Sequence, residues 1–336
     1  MVCAALLIGL LMGIGPAELG GATTTGPSSE QQSRQRPRLV PGTPQFDAAA
    51  LMERSLASIR RHRLAKGLPI DPVIDPNRTG IIGDEFTPLT TSLGEVEAKR
   101  TSTNPEFAAL LVDCFQRAGL RRGDMVAVGA SGSFPALLLA TLSAARSLDL
   151  EPVVIYSIGA SMYGANLPGF TFVDMLAGLR EDGVLPYRLA AVSPGGDEDR
   201  GAGVLFDEDG TALVNEAQQS GLPVIGGASL AGNIQQRLRL YDTAAGGRRV
   251  RCFVNVGGAS ANFGTTAASL SLPNGLVFRV PEVPRSATRG LVFEFAARGT
   301  PIVHMLHVRG LARDNHLPFD PVPLPRVGEG GSSDQR

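Results

Sequence analysis

Gly129-Ala130-Ser131-Gly132-Ser133 is the stretch whose residue types suit a reaction. A serine between glycines at the end of an apolar run resembles the G-x-S-x-G turn that exposes a nucleophilic hydroxyl, with serine in place of the last glycine. Such a hydroxyl needs a base within hydrogen-bond reach and a carboxylate that orients the base. His304, in the late apolar run Pro301 to Leu306, is the candidate base. Asp174, Asp197 or Asp199 would complete the chain order Ser, Asp, His. Against this stands the ordinary use of a lone histidine in an apolar run, as a core residue with its hydrogen bonds met.

The same stretch also suits binding without bond breaking. The tripeptide Gly-Ala-Ser occurs four times, beginning at Gly129, Gly159, Gly227 and Gly258, each time after an apolar run. Repetition at strand ends suggests one requirement: close backbone approach with N–H and hydroxyl donors exposed. The ligand-binding candidates are Gly129, Gly132, Ser133, Gly159, Ser161, Asn166, Gly257, Gly258 and Ser260, which would hold carboxylates or a phosphate. Two cations, Lys99 and Arg100, with the hydroxyls of Thr101 and Ser102, just before a helix opening at Asn104-Pro105, form a second candidate anion seat, or simply a solvated cap. No G-x-x-x-x-G-K-[ST] is present, and the spacing after Gly129 does not give G-x-G-x-x-G, so neither a P-loop nor a dinucleotide fingerprint is read. Asp71, Asp75, Asp84 and Glu85 read as turn and cap carboxylates. No metal site and no cofactor are expected.

These turns must be positioned by strands. Met125 to Val128 is a short apolar run, a helical pattern follows to about Leu148, and Val153 to Tyr156 is a second apolar run. That is one βαβ unit, since parallel neighbours need a crossover of this length. Further strands are expected at Tyr187–Val192, Leu222–Ile225, Val250–Val256 and Pro301–Leu306. Helices are expected at Phe46–Lys66, Asn104–Ala118, Phe170–Arg180, Thr211–Gln219, Ser229–Tyr241 and Arg285–Arg298. The fold class is α/β: a mostly parallel sheet with helices on both faces, Rossmann-like, in one or two lobes. Ligands of such sheets bind where the strands' carboxyl ends open. The segment Leu68-Pro69-Ile70-Asp71-Pro72-Val73 is echoed at Leu317-Pro318-Phe319-Asp320-Pro321-Val322, as if one loop closed the two ends of the domain. His62, in the basic end of the first helix, reads as a solvated cap residue.

Composition narrows the function classes. A net charge of −1 offers no basic field for a nucleic-acid backbone, and the absence of Trp argues against base-stacking platforms. Three cysteines make no disulfide framework; Cys114 and Cys252 read as buried small hydrophobes, with a bridge between them left open. Val2 to Ile14 is apolar and uncharged, suiting a signal sequence or a membrane anchor whose start is missing. The expected layout is a signal or anchor at 1–15, a flexible linker at 16–45, one α/β domain at 46–330 and a disordered tail at 331–336.

DPNRTGIIGDEFTPLTTSLGEVEAKRTSTNPEFAALLV and VAVGASGSFPALLLATLSAARSL, followed by SIGASMYGAN, FVNVGGASANFG, RGTPIVHMLHVRGLA and LPFDPVPLP, resemble the poly-gamma-glutamate system protein family. The resemblance runs from about Phe46 to Gly330 and is loose over Gly201–Gly210. It implies a bacterial protein with an N-terminal membrane segment that serves poly-γ-glutamate synthesis and export beside other subunits of that machinery; the leading apolar segment places the soluble domain outside the cytoplasm, or secretes it if the segment is cleaved. It implies a pathway and no mechanism. Three roles remain open: binding an anionic small molecule or polymer at the strand-end loops, a hydrolase or acyltransferase acting through Ser131, or a docking subunit. Nucleic acid is not an expected partner.

Overall fold

Why the chain folds around Met125–Ser131 is visible in its burial: all seven residues are buried, so this strand is covered on both faces. The computed structural model describes residues 38–205 and 210–328. In chain order the strands are β1 (Thr90–Ser92), β2 (Met125–Ser131), β3 (Glu151–Ser157), β4 (Ala160–Ser161), β5 (Leu189–Ser193), β6 (Cys252–Val256), β7 (Gly275–Val277) and β8 (Ile302–Met305). The helices are α1 (Pro44–Ala65), α2 (Val96–Ser102), α3 (Glu106–Arg117), α4 (Pro135–Ser147), α5 (Phe172–Glu181), α6 (Thr211–Gln219), α7 (Leu230–Ala245), α8 (Ser260–Phe263), α9 (Leu291–Ala297) and α10 (Val308–Asp314). The expected anchor, the tail from 331 and most of the linker lie outside the described residues. Among the described residues no helix is long and apolar enough to cross a membrane.

Six strands form one sheet in the order β5-β3-β2-β6-β8-β7, parallel except for β7 at the edge. β1 and β4 pair separately as a short parallel ribbon. Alternation along the strands divides the core into two layers. Val126, Val128 and Ala130 of β2, with Val154, Tyr156, Val254 and Val303, join one cluster with α1, α3, α4, α5 and α10. Met125 and Ala127, with Ile155, Ala191, Phe253 and Ile302, join the other with α7 and α9. The strand order reverses direction at β2. After β2 the chain moves outward through β3 and β5, then crosses back to β6 on the opposite side.

The expected βαβ unit is present as β2–α4–β3. Several boundaries differ for local reasons. Leu222–Ile225 makes only an isolated parallel bridge, Val192 to Val224, because Pro223 follows an exposed turn and Val224 stays open to solvent. Arg285–Arg298 narrows to α9, since Gly290 opens that helix in a conformation at φ 85°. Leu93–Asn104, not assigned to any element from its sequence, contains α2. Cys114 and Cys252 are both buried and are not joined in a disulfide.

Three polar clusters, two of them buried, tie loops and helices to this frame. Arg63 near the end of α1 donates to the carbonyls of Pro69, Gly80 and Ile82, and so pins the loop after α1. His62 is not a solvated cap: its Nε2 lies 3.3 Å from Asp182 Oδ1, and its ring fills the space that a side chain at Gly178 would need. At the β5 edge, Arg237 of α7 and Asp199 are wholly buried, and Arg237 Nη2 donates to Asp199 Oδ2 at 2.8 Å, Ser157 Oγ at 2.9 Å and Ser193 Oγ at 2.6 Å. A buried pair of this kind destabilises most when one partner is removed alone. Asp199→Ala is expected to lose about 3–5 kcal/mol, read by chemical denaturation, and Asp199→Leu with Arg237→Met to recover more than half of it.

Candidate functional site

The reversal at β2 puts the carboxyl ends of β2 and β6 at the switch point of the sheet, the usual ligand position in such a fold. Ser131, Ser157 and Ser193 stand in register across β2, β3 and β5, a row of hydroxyls along the rim. Gly257 closes the row on the β6 side. Its φ of 75° and the 2.5 Å that would separate a Cβ there from Ser131 Oγ both require glycine. Gly132 is equally constrained, because a Cβ would come within 2.5 Å of the Ile158 carbonyl oxygen. That contact locks the corner after β2 against the corner after β3.

Three of the four Gly-Ala-Ser corners therefore meet here. Ser161 N donates to Ser133 Oγ at 3.0 Å, and Ser133 N reaches Ser131 Oγ at 3.4 Å. Ser260, after β6, donates its hydroxyl to the Gly196 carbonyl at 2.9 Å, and Gly159 packs against Gly196 from the other side. Gly258 is exposed at the mouth. The fourth corner does a different job: Ser229 caps α7 by accepting from Gly232 N at 3.2 Å.

The side chain that dominates the rim is Lys99 of α2. It is 2 % exposed, and its Nζ lies 2.5 Å from Ser161 Oγ, donates to the Ser133 carbonyl and sits 4.0 Å from the centre of the Phe134 ring. Among the described residues no carboxylate pairs with it. Burial pushes its ammonium down to about 7 from the ordinary 10.5, with no compensating charge. The sequence placed this residue beside Arg100 in the second anion seat, and composition sets it apart further. Of the 31 cationic side chains only Lys66 and Lys99 are lysines. Arginine could not serve as a base in this place, because it does not lose its proton.

Other candidates are not brought to the rim in a usable state. Arg100 points away from it and grips Asp320 with Nε and Nη2, each at 2.6 Å. Thr101 Oγ1 donates to the Glu97 carbonyl and accepts from Asp320 N, and Ser102 Oγ donates to the Lys99 carbonyl. The second anion seat is thus corrected in part: Lys99 reaches the rim, while Arg100 and the hydroxyls of Thr101 and Ser102 hold the chain together. Asn166 is wholly buried and engaged on both ends of its amide, with Asp84 N, the Asp84 carbonyl and Thr90 Oγ1. It clamps two loops and has nothing left for a ligand.

The Ser131–His304 pair is also corrected. β6 lies between β2 and β8, so the two backbones are about 10 Å apart across the sheet at the usual strand spacing. His304 is level with Asn255 and Gly129, two residues short of Ser131 along the strands. Its Nδ1 lies 3.2 Å from Asn255 Nδ2, which must donate, so the ring proton is assigned to Nε2. Burial holds the imidazole down to about 4, and it is neutral. Of the carboxylates expected to orient it, Asp174 caps α5 through Thr171 N at 3.0 Å, Asp199 pairs with Arg237, and Asp197 is exposed.

Comparison with family models, with curated proteins and with solved structures finds no match for this chain.

Both buried bases couple stability to pH with one sign. Each has a folded value below its unfolded one, so the unfolded chain binds more protons and stability rises with pH. For His304 the rise spans the interval from about 4 to 6.5, and stability is lost as pH falls through it. For Lys99 it spans about 7 to 10.5. Lys99→Met is expected to unfold at higher temperature than the natural chain at pH 7, and the gap to close as pH approaches 10. Thermal unfolding of both proteins across this range checks it.

Proposed function

We propose that this chain binds an anionic ligand at the carboxyl rim of β2, β3 and β6, as a membrane-tethered accessory protein of a poly-γ-glutamate synthesis and export system. One observation carries the binding reading: a buried lysine that no carboxylate of the described residues neutralises, at the switch point of a Rossmann-like strand order. A cation in that setting either loses its proton or is met by an anion from outside. An arriving carboxylate would face Lys99, the hydroxyls of Ser133 and Ser161, and the amino-terminal end of α4, which favours negative charge. The pathway assignment is supported by the resemblance of the EAKRTSTNP and GASGSFPAL segments alone. The N-terminal apolar run would supply the tether, with the domain extracytoplasmic and other subunits of the machinery as partners.

The reading has a protonic signature. An anion beside Lys99 favours its charged form, so binding at pH 8 takes up about one proton per site. Calorimetric titration with a short γ-linked glutamate oligomer, in two buffers of different ionisation enthalpy, measures that uptake. Binding that weakens with salt, takes up a proton and disappears in Lys99→Met is the expected result. Binding without proton uptake and unchanged in Lys99→Met would refute the rim as the anion site.

A further inference from the structure

Ser161 and Lys99 meet at a distance that suits proton transfer. The Nζ–Oγ separation is 2.5 Å, and the remaining neighbours of the amine complete its needs in the neutral form. Two N–H bonds can face the Ser133 carbonyl and the Phe134 ring, which leaves the lone pair for the Ser161 hydroxyl. Ser161 is 6 % exposed and lies with Lys99 just beneath the rim. Gly94 lies against it, where a Cβ would come within 3.2 Å of Ser161 Oγ. Ser133 Oγ accepts from Ser161 N at 3.0 Å and retains its own proton to donate.

We infer that Ser161 is a nucleophile with Lys99 as its base, and that the rim cleaves or transfers an acyl group from an amide or ester. The inference rests on the rim being the ligand site. Neutral Lys99 takes the Ser161 proton as Oγ bonds to the acyl carbon and the carbonyl electron pair moves onto oxygen. The Ser133 hydroxyl donates to that oxyanion. Collapse expels the amine or alcohol, which takes the proton back from Lys99. Water, or an acceptor amine, then gives Lys99 a proton while attacking the Ser161 ester, and Oγ recovers it on leaving. Hydrolysis yields a carboxylate beside a lysine that becomes its counter-ion. Anion binding and catalysis are thus two protonation states of one site, and a bound carboxylate inhibits.

Charged groups on the elements around Lys99 pair with one another. Glu97 and Asp320 face Arg100, Glu95 pairs with Arg309 of α10, Arg313 pairs with Asp314, and His307 is exposed. The pH dependence of the reaction is therefore expected to follow Lys99.

The test is covalent labelling of the full chain with a fluorophosphonate, which expels fluoride as Oγ bonds to phosphorus. Intact mass and peptide mapping locate the adduct. One adduct at Ser161 is expected, with a rate that rises about tenfold per pH unit below 7 and levels above it. Lys99→Arg, which cannot be deprotonated, and Ser161→Ala are expected to lose about 100-fold or more. Gly94→Val is expected to shield the site, and His304→Gln to leave labelling in place. The wild-type pH profile needs no variant to fold. Labelling at Ser131 or at another serine, or a rate independent of pH and of Lys99→Arg, overturns the inference. No adduct in a folded chain that still binds the γ-linked oligomer overturns it too and leaves the binding reading standing. Loss of both would remove the rim as a site.

Discussion

An ammonium group taken out of water without a carboxylate is the constraint from which the rest follows. Lys99 makes one carbonyl contact, one hydroxyl contact and one ring contact, and its charge is not balanced by any of them. Held this way, the lysine opposes the stability of the fold at neutral pH. Sites that oppose stability persist where chemistry or binding needs them. The serine corners make the rim, and the lysine makes it reactive.

Keeping Lys99 in place requires that α2 be fixed from outside, since seven residues make too short a helix to hold itself. Its neighbours Arg100 and Thr101 supply the grip. Arg100 reaches the Val73 carbonyl in the first copy of the repeated Leu-Pro-x-Asp-Pro-Val segment and Asp320 in the second. Thr101 Oγ1 accepts from Asp320 N at 2.8 Å, and Asn77 donates to the Pro321 carbonyl at 2.9 Å. The two echoed loops therefore meet around one arginine. They join the amino- and carboxyl-terminal parts of the described chain directly behind the lysine.

How much of this was legible in the sequence depends on the range of the forces involved. The βαβ unit around Ser131 was legible because apolar runs, a Gly/Ser turn and a helical period are local. The meeting of three serine corners was legible only as repetition, since strand order is set by packing across residues far apart in sequence. His304 misled because an apolar run says nothing of which strand lies between it and Ser131. Arg100, Asn166 and His62 misled for one reason: a polar residue near a loop looks available until its partners are known. α2 escaped notice because its polar residues Lys99, Thr101 and Ser102 are the ones buried, against the usual pattern. Lys99 was legible as a cation beside hydroxyls before a helix, and carried a second trace in its rarity among 31 cationic residues.

That rarity also provides the decisive measurement. Lysine labelled with 13C at Cε gives two side-chain resonances in this chain, from Lys66 and Lys99, and their shifts report protonation directly. The account predicts that one resonance titrates near the ordinary 10.5 and the other at about 7, the latter absent from Lys99→Met. If both lysines keep their protons to above pH 10, the buried amine is neither a base nor an uncompensated charge, and the account of the rim is contradicted.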